Sequence, residues 1–238
     1  MRRRLFVAAL AMFGAMGALP AAAQLIEVPG RAAAPSTTDK ENLWLLDLSS
    51  GGRVTVWLRP DVAPKMVERI KTLTRQHFYD GTPFHRVIEG FMAQGGDPKG
   101  DGTGGSTLPD VPKEFNYLPH VRGAVSAARA QSEDSANSQF YIMFAPRLSL
   151  DQKYTVFGRV IDGMTHVDAI KRGTGENGEV EAPATRILHA YIAADNPPAY
   201  TPPPPEAAAP AALPVTLPAT APQKAPTPRR APAAPRKR

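Results

Sequence analysis

The chain predicts an all-β-dominated fold, a closed or nearly closed barrel with two helices. Two observations predict it. Eight short runs of apolar or alternating residues recur between Gly, Pro, Asn and Ser turn signals. Only two stretches carry helical spacing. Many short strands with turn signals and only two helices suit a sheet that closes on itself.

The elements follow in order. Leu43–Leu48 and Arg53–Leu58 flank Ser-Ser-Gly-Gly and read as a hairpin. In the second run Val54, Val56 and Leu58 alternate with Arg53, Thr55 and Trp57, the period of a strand with one buried face. Residues Val62–His77 switch to helical spacing, with Val62, Met66, Ile70 and Leu73 on one stripe. Pro64 fits the first turn, where its missing N–H costs little. Strands are expected again at Phe84–Ile88 and Phe91–Gln94, followed by a Gly-rich loop over Gly95–Thr107. Further strands are expected at Ala124–Ala128, Gln139–Phe144, Thr155–Ile161 and Arg186–Ile192. A short second helix is expected at Met164–Lys171, ended by Gly173.

The 238 residues divide by composition. Residues 1–23 read as a secretory signal: Arg2–Arg4 form a charged start, Leu5 to Leu19 an apolar run, and Ala21-Ala22-Ala23 a small-residue cleavage site. The run is short for a bilayer span, which needs about 20 apolar residues. A flexible Ala/Pro/Ser-rich leader is expected at 24–39 and the folded domain at 40–195. Residues 196–238 are Pro/Ala-rich, with Pro210, Pro214, Pro218, Pro222 and Pro226 four apart, and are expected to be extended and disordered. Their basic end, Arg236-Lys237-Arg238, is expected to make at most weak contact with anionic envelope material. The periplasm is the expected address, and a monomer the expected state.

Charge and cysteine content exclude several classes. The formal charge of +6 is concentrated at the ends. Arg2–Arg4 contribute three and the segment from Asn196 five net, leaving about −2 for the body. No nucleic-acid partner is expected from such a body. Cysteine is absent, which removes disulfides, thiolate chemistry and cysteine zinc sites. The five histidines are scattered, and none has an i, i+4 partner, so no metal or cofactor is expected. The glycines of 95–105 lack a following Gly-Lys-Ser/Thr, which argues against a phosphate loop. Ser126 and His85 lie in no nucleophile-elbow motif, and nothing supports Asp97 and Glu114 as a carboxylate pair.

The densest signal is Phe84–Asp97, FHRVIEGFMAQGGD. It sets Arg86 among Val87, Ile88, Phe91 and Met92, with Gln94 and a Gly-Gly turn behind. A cationic fork beside apolar side chains, with no nucleophile or acid pair, suits a reaction that breaks no bond in its substrate. This segment closely resembles the signature of cyclophilin-type peptidyl-prolyl isomerases. Four further segments agree in order: GTGG at Gly102–Gly105, GAVSAAR at Gly123–Arg129, NSQFYI at Asn137–Ile142, and LDQKYTVFGRVIDGMTHVDAI from Leu150.

The resemblance implies a cyclophilin-like eight-stranded antiparallel β-barrel capped by two α-helices. It implies cofactor-free isomerisation of X–Pro bonds in proline-containing polypeptides. Carried over by position, Arg86 is the catalytic arginine, and Phe91, Met92, Tyr141 and Leu150 form the proline pocket. Gln94, Ala128 and Arg129 line the peptide groove. His85 stands beside the arginine and is expected to be structural or to orient it by a hydrogen bond. Tyr141 replaces a phenylalanine and adds a hydroxyl near the proline ring. Tyr154 stands at a substrate-contacting position where a histidine is usual, and Ser149 where a tryptophan helps bind cyclosporin. Weak cyclosporin binding is therefore expected. The alternative is a scaffold or chaperone that holds proline peptides with little turnover.

Overall fold

A computed structural model describes residues 37–174 and 177–202. The expected signal, nearly all of the leader and the tail beyond residue 202 lie outside these. Eight strands form one antiparallel sheet: β1 (Leu43–Leu48), β2 (Arg53–Leu58), β3 (Arg86–Ile88), β4 (Met92–Gly95), β5 (Ala124–Ala127), β6 (Phe140–Met143), β7 (Val156–Asp162) and β8 (Ile187–Ile192). Their order is β3-β4-β6-β5-β7-β2-β1-β8. The edges β3 and β8 do not pair as strands. The residues before them meet in one antiparallel bridge, Pro83 to Arg186, which brings the curled sheet round on itself.

All eight expected strands occur: β1 and β2 with the expected bounds, β3, β5, β6 and β8 trimmed by one or two residues, and β4 and β7 shifted by one. The Ser-Ser-Gly-Gly turn joins β1 to β2 in the register Leu43 to Trp57 through Asp47 to Arg53. Register shifts in β1–β8, β2–β7 and β5–β7 mark bulges, the usual device for bending a sheet.

The first helix, α1, runs Pro64–Arg75 rather than Val62–His77. Pro64 opens it, and His77, with a positive φ of 56°, lies past its end. Its buried face holds Met66, Ile70 and Leu73 as the spacing predicts, with Val67 and Thr74 in addition. No side chain at the helix start caps it. The cap comes from Glu114, whose carboxylate accepts Lys65 N–H and Met66 N–H, both at 2.9 Å. The second helix, α2 (Met164–Asp168), stops three residues short of the expected Lys171. It starts from Gly163, at φ 79°, where a Cβ would sit 2.3 Å from the Arg53 carbonyl oxygen. Only glycine fits there.

The strands sort their residues by period two into two apolar clusters. Inside the curled sheet lie Val54, Val56, Val87, Ala93, Val125, Phe140, Ile142 and Phe157, with the α1 face. Trp44, Phe140, Tyr79 and Phe84 pack edge-to-face there, with Trp44–Phe140 centroids 4.9 Å apart and Phe84–Phe140 6.2 Å. On the outside a smaller cluster forms from Met92, Ala124, Tyr141, Met143 and Val156, closed by Leu118, Leu150 and Tyr154 from the loops. This is why β5 and β6 are buried along their whole length.

Of the segment from Asn196, residues 196–202 are described. Tyr200 is placed against the β1–β2 hairpin, its hydroxyl accepting the Gly52 N–H at 2.6 Å.

Candidate active site

The outer cluster forms the floor of a cavity, and sheet register sets its walls. Arg86 on β3 pairs with Gln94 on β4, Gln94 with Tyr141 on β6, and Tyr141 with Ser126 on β5. One row of outward positions across four strands therefore carries Arg86, Gln94 and Tyr141. The next row supplies Ile88 and Met92. Loops add Phe91, Ala128, Arg129, Leu150 and Tyr154. Together Arg86, Phe91, Met92, Gln94, Ala128, Arg129, Tyr141, Leu150 and Tyr154 line one cavity of about 160 Å³.

Arg86 is half-buried and held from two sides. Its Nε donates to the Asn177 carbonyl at 2.8 Å, and Nη1 lies 3.4 Å from Gln94 Oε1. Gln94 Nε2 in turn donates to Gln139 Oε1 at 2.9 Å. Gln139 Nε2 donates to the carbonyls of Gly102 and Gly104, at 3.0 and 2.8 Å. A chain of amides thus ties the guanidinium to the glycine loop. That loop is itself pinned by Asp97, fully buried, which accepts the N–H groups of Lys99, Gly102 and Gly104. Asp97 and Glu114 are therefore each committed to backbone donors.

His85 is the one expected site residue that the cavity does not include. Consecutive residues of an extended chain point to opposite sides, so His85 turns away from the arginine's cavity. Both its ring nitrogens lack a hydrogen-bond partner, so it does not orient Arg86. It borders a separate space of about 590 Å³ behind Arg86, with Asp101, Asn177 and Glu179. Burial lowers its pKa, against the pull of Asp97.

The Tyr141 hydroxyl is taken up by His120 Nε2 at 3.2 Å. His120 is fully buried, and its Nδ1 lies 2.8 Å from Asp151 Oδ1, which also accepts the His120 N–H. The carboxylate can only accept, so Nδ1 carries the proton and Nε2 accepts from the tyrosine. Burial raises the Tyr141 pKa and lowers that of His120, which keeps both neutral. His120, Asp151, Gln139 and the Asn177 carbonyl were absent from the expected site. Gln139 and Asp151 lie inside quoted segments, His120 and Asn177 outside them, and each acts through a long-range contact that the sequence does not announce.

Two guanidinium groups lie against the aromatic walls. Arg129 stacks over Tyr154 with its Cζ 4.6 Å from the ring centre, and Arg147 over Phe91 at 5.0 Å. Beyond Arg129 the groove opens into a polar pocket of about 330 Å³, lined by Gly102–Gly105, Asp110, Ser135, Asn137 and Gln139.

The family model "Cyclophilin type peptidyl-prolyl cis-trans isomerase/CLD" matches residues 45–192. The chain belongs to this family. It is a cyclophilin-type peptidyl-prolyl cis-trans isomerase with a curled eight-stranded sheet and two helices. A probable peptidyl-prolyl cis-trans isomerase of Brucella suis is 48% identical over 190 residues, covering 75% of this chain and 96% of that protein. Peptidyl-prolyl cis-trans isomerase B of Bacillus subtilis is 39% identical over 127 residues, covering 53% of this chain and 88% of that one. Among solved structures, a cyclophilin from Hirschia baltica matches with a TM-score of 0.60 and 27% identity, over 67% of this chain and 77% of its own. A cyclophilin-type isomerase from Cryptosporidium parvum, crystallised in the presence of the dipeptide Ala-Pro, matches with a TM-score of 0.58 and 26% identity, over 63% and 98%. Residues from four of the five quoted segments line the one cavity, and the glycine segment lines the polar pocket beside it.

Proposed function

We propose that this isomerase turns X–Pro bonds of exported polypeptides in the Arg86 cavity, with Arg86 as the catalytic residue. The peptide C–N bond is planar because the nitrogen lone pair is shared with the carbonyl, and rotation costs about 18–20 kcal/mol. In the twisted state the prolyl nitrogen regains that pair. A donor aimed at it binds the twisted state better than the planar one, which is the condition for catalysis. Arginine offers a rigid, permanently charged donor fork. One charge-assisted hydrogen bond contributes roughly 1.5–3 kcal/mol, or about 10–150-fold in rate. The remainder comes from the apolar walls, which favour the less dipolar twisted amide and hold the proline ring still while the acyl side turns.

The observation that carries this reading is the common cavity of Arg86 with Phe91, Met92, Tyr141 and Leu150. The Asn177 and Gln94 contacts supply the preorganisation it requires. The test is cis/trans exchange of a prolyl peptide by wild type and Arg86→Ala. Turnover should fall by at least tenfold with the far-ultraviolet spectrum unchanged. Near-wild-type exchange by the variant would remove the arginine's role, and saturable binding without rate enhancement by wild type would favour the scaffold reading.

Export rests on Arg2–Arg4, the apolar run behind them and Ala21–Ala23. Fractionation with N-terminal sequencing of the mature protein tests the periplasmic address, and light scattering the monomer. The basic tail is offered as a weak tether to anionic envelope material, tested by salt-sensitive pelleting of the chain with and without residues 203–238.

A further inference from the structure

We infer that the proline groove prefers polypeptides with acidic residues beside the proline, read by Arg129 and Arg147. The inference rests on the Arg86 cavity being the proline site, and names the substrate class that this site takes.

Three arginines surround the cavity. Arg86 and Arg129 line it, and Arg147 lies over the ring of Phe91, which lines it too. Elsewhere on the molecule five arginines are matched by carboxylates: Arg53 by Asp47, Arg59 by Asp61, Arg75 by Glu41 and Asp195, Arg122 by Asp168, Arg172 by Glu89, while Arg69 and Arg186 donate to backbone carbonyls. The three at the groove likewise have no carboxylate partner among the described residues. Arg86 donates to the Asn177 carbonyl and Gln94. Arg129 donates to the carbonyls of Ala130, Gln131 and Lys153. Arg147 is exposed and covers Phe91.

Among the described residues no carboxylate lines the cavity. Described acids around it are otherwise placed. Asp151 is bonded to His120. Asp110 is at the neighbouring polar pocket, bonded to Asn137. Asp101 and Glu179 are in the space behind Arg86. The groove therefore has a cationic rim, although the body carries about −2. Stacking on Tyr154 and Phe91 holds the two guanidinium planes at the apolar walls, where a carboxylate next to a seated proline would come within reach. Arg147 keeps its in-plane donors for a carboxylate fork, and Arg129, with three hydrogen bonds already made to carbonyls, adds mainly its charge.

The test uses three blocked pentapeptides with glutamate, alanine or lysine on both sides of proline, and cis/trans exchange measured by NMR without a coupling protease. An exposed contact near 4 Å in water is worth about fivefold. Wild type should therefore turn over the glutamate peptide about tenfold better in kcat/KM than the lysine peptide at low salt, and the ratio should shrink at 0.5 M salt. Arg147→Glu should reduce or invert that ratio. The ratio is taken within each enzyme, so a general loss of activity in the variant does not affect it. Turnover of the alanine peptide with no glutamate preference would overturn the inference and leave the proline site standing. A glutamate preference untouched by Arg147→Glu and by Arg129→Gln would overturn it as well. Failure to turn over any of the three would overturn the site reading and the inference with it.

Discussion

The Tyr141 hydroxyl donates to His120 Nε2 at 3.2 Å, and so faces the buried side of the cavity wall. The three rings of Tyr141, His120 and Tyr154 pack together, with His120–Tyr141 stacked at 6.1 Å and Tyr141–Tyr154 edge-on at 6.0 Å. The hydroxyl therefore anchors the wall and takes no part in the turnover. Tyr141→Phe should leave kcat/KM within about twofold of wild type. It should cost roughly 1–2 kcal/mol of stability, because His120 Nε2 is left buried without a partner. Urea denaturation and peptide exchange on the same preparation check both halves.

The two buried histidines make stability depend on pH in one direction. Burial lowers the pKa of both His85 and His120 below the ordinary 6.5. Below about pH 6.5 the unfolded chain takes up protons that the folded one refuses, so the unfolded state gains. Their contribution is complete above pH 6.5 and is lost as the pH falls from there toward the lowered folded values. The urea midpoint should accordingly drop between pH 7.5 and pH 5. His85 has no partner to lose, so His85→Leu should flatten that slope and leave the pH 7.5 midpoint little changed.

Arg86 separates a charge from a fork. Lysine keeps the charge but cannot donate to the Asn177 carbonyl and present a second N–H toward the cavity in one plane. Arg86→Lys should therefore lose most of what Arg86→Ala loses, about tenfold or more in kcat with a smaller change in KM. Steady-state exchange kinetics distinguish this from a pure charge effect, under which lysine would restore the rate.

What the residues disclose in advance depends on how local the cause is. The nine cavity positions were legible through the resemblance of their motifs; Arg86, Met92, Gln94 and Tyr141 lie on strands whose alternation sends them to one side, and the other five on loops. The helix stripe of α1 was legible through its spacing. His85 was misplaced by its adjacency to Arg86, although extended backbone turns neighbours to opposite faces. His120 and Asp151 meet across a loop, and nothing in either neighbourhood announces the other. Asn177 acts through its carbonyl, so its side chain carries no signal. The double burial of β5 and β6 likewise required knowing that loops fold over the outer face.

Glu114 illustrates the same limit and supplies a test independent of catalysis. A helix start leaves N–H groups without intrahelical partners, and the residue before Pro64 is Ala63, which cannot cap them. Glu114 reaches α1 from a loop nearly fifty positions away and accepts two of these groups. Its charge also sits at the positive end of the helix. Glu114→Ala should destabilise the fold by roughly 1–2 kcal/mol, and Glu114→Gln, which keeps one acceptor oxygen, by less. Neither residue position touches the Arg86 cavity, so kcat/KM at a temperature well below unfolding should stay at the wild-type value. A fall in activity matching the fall in stability would mean that α1 and its cap help to set the groove.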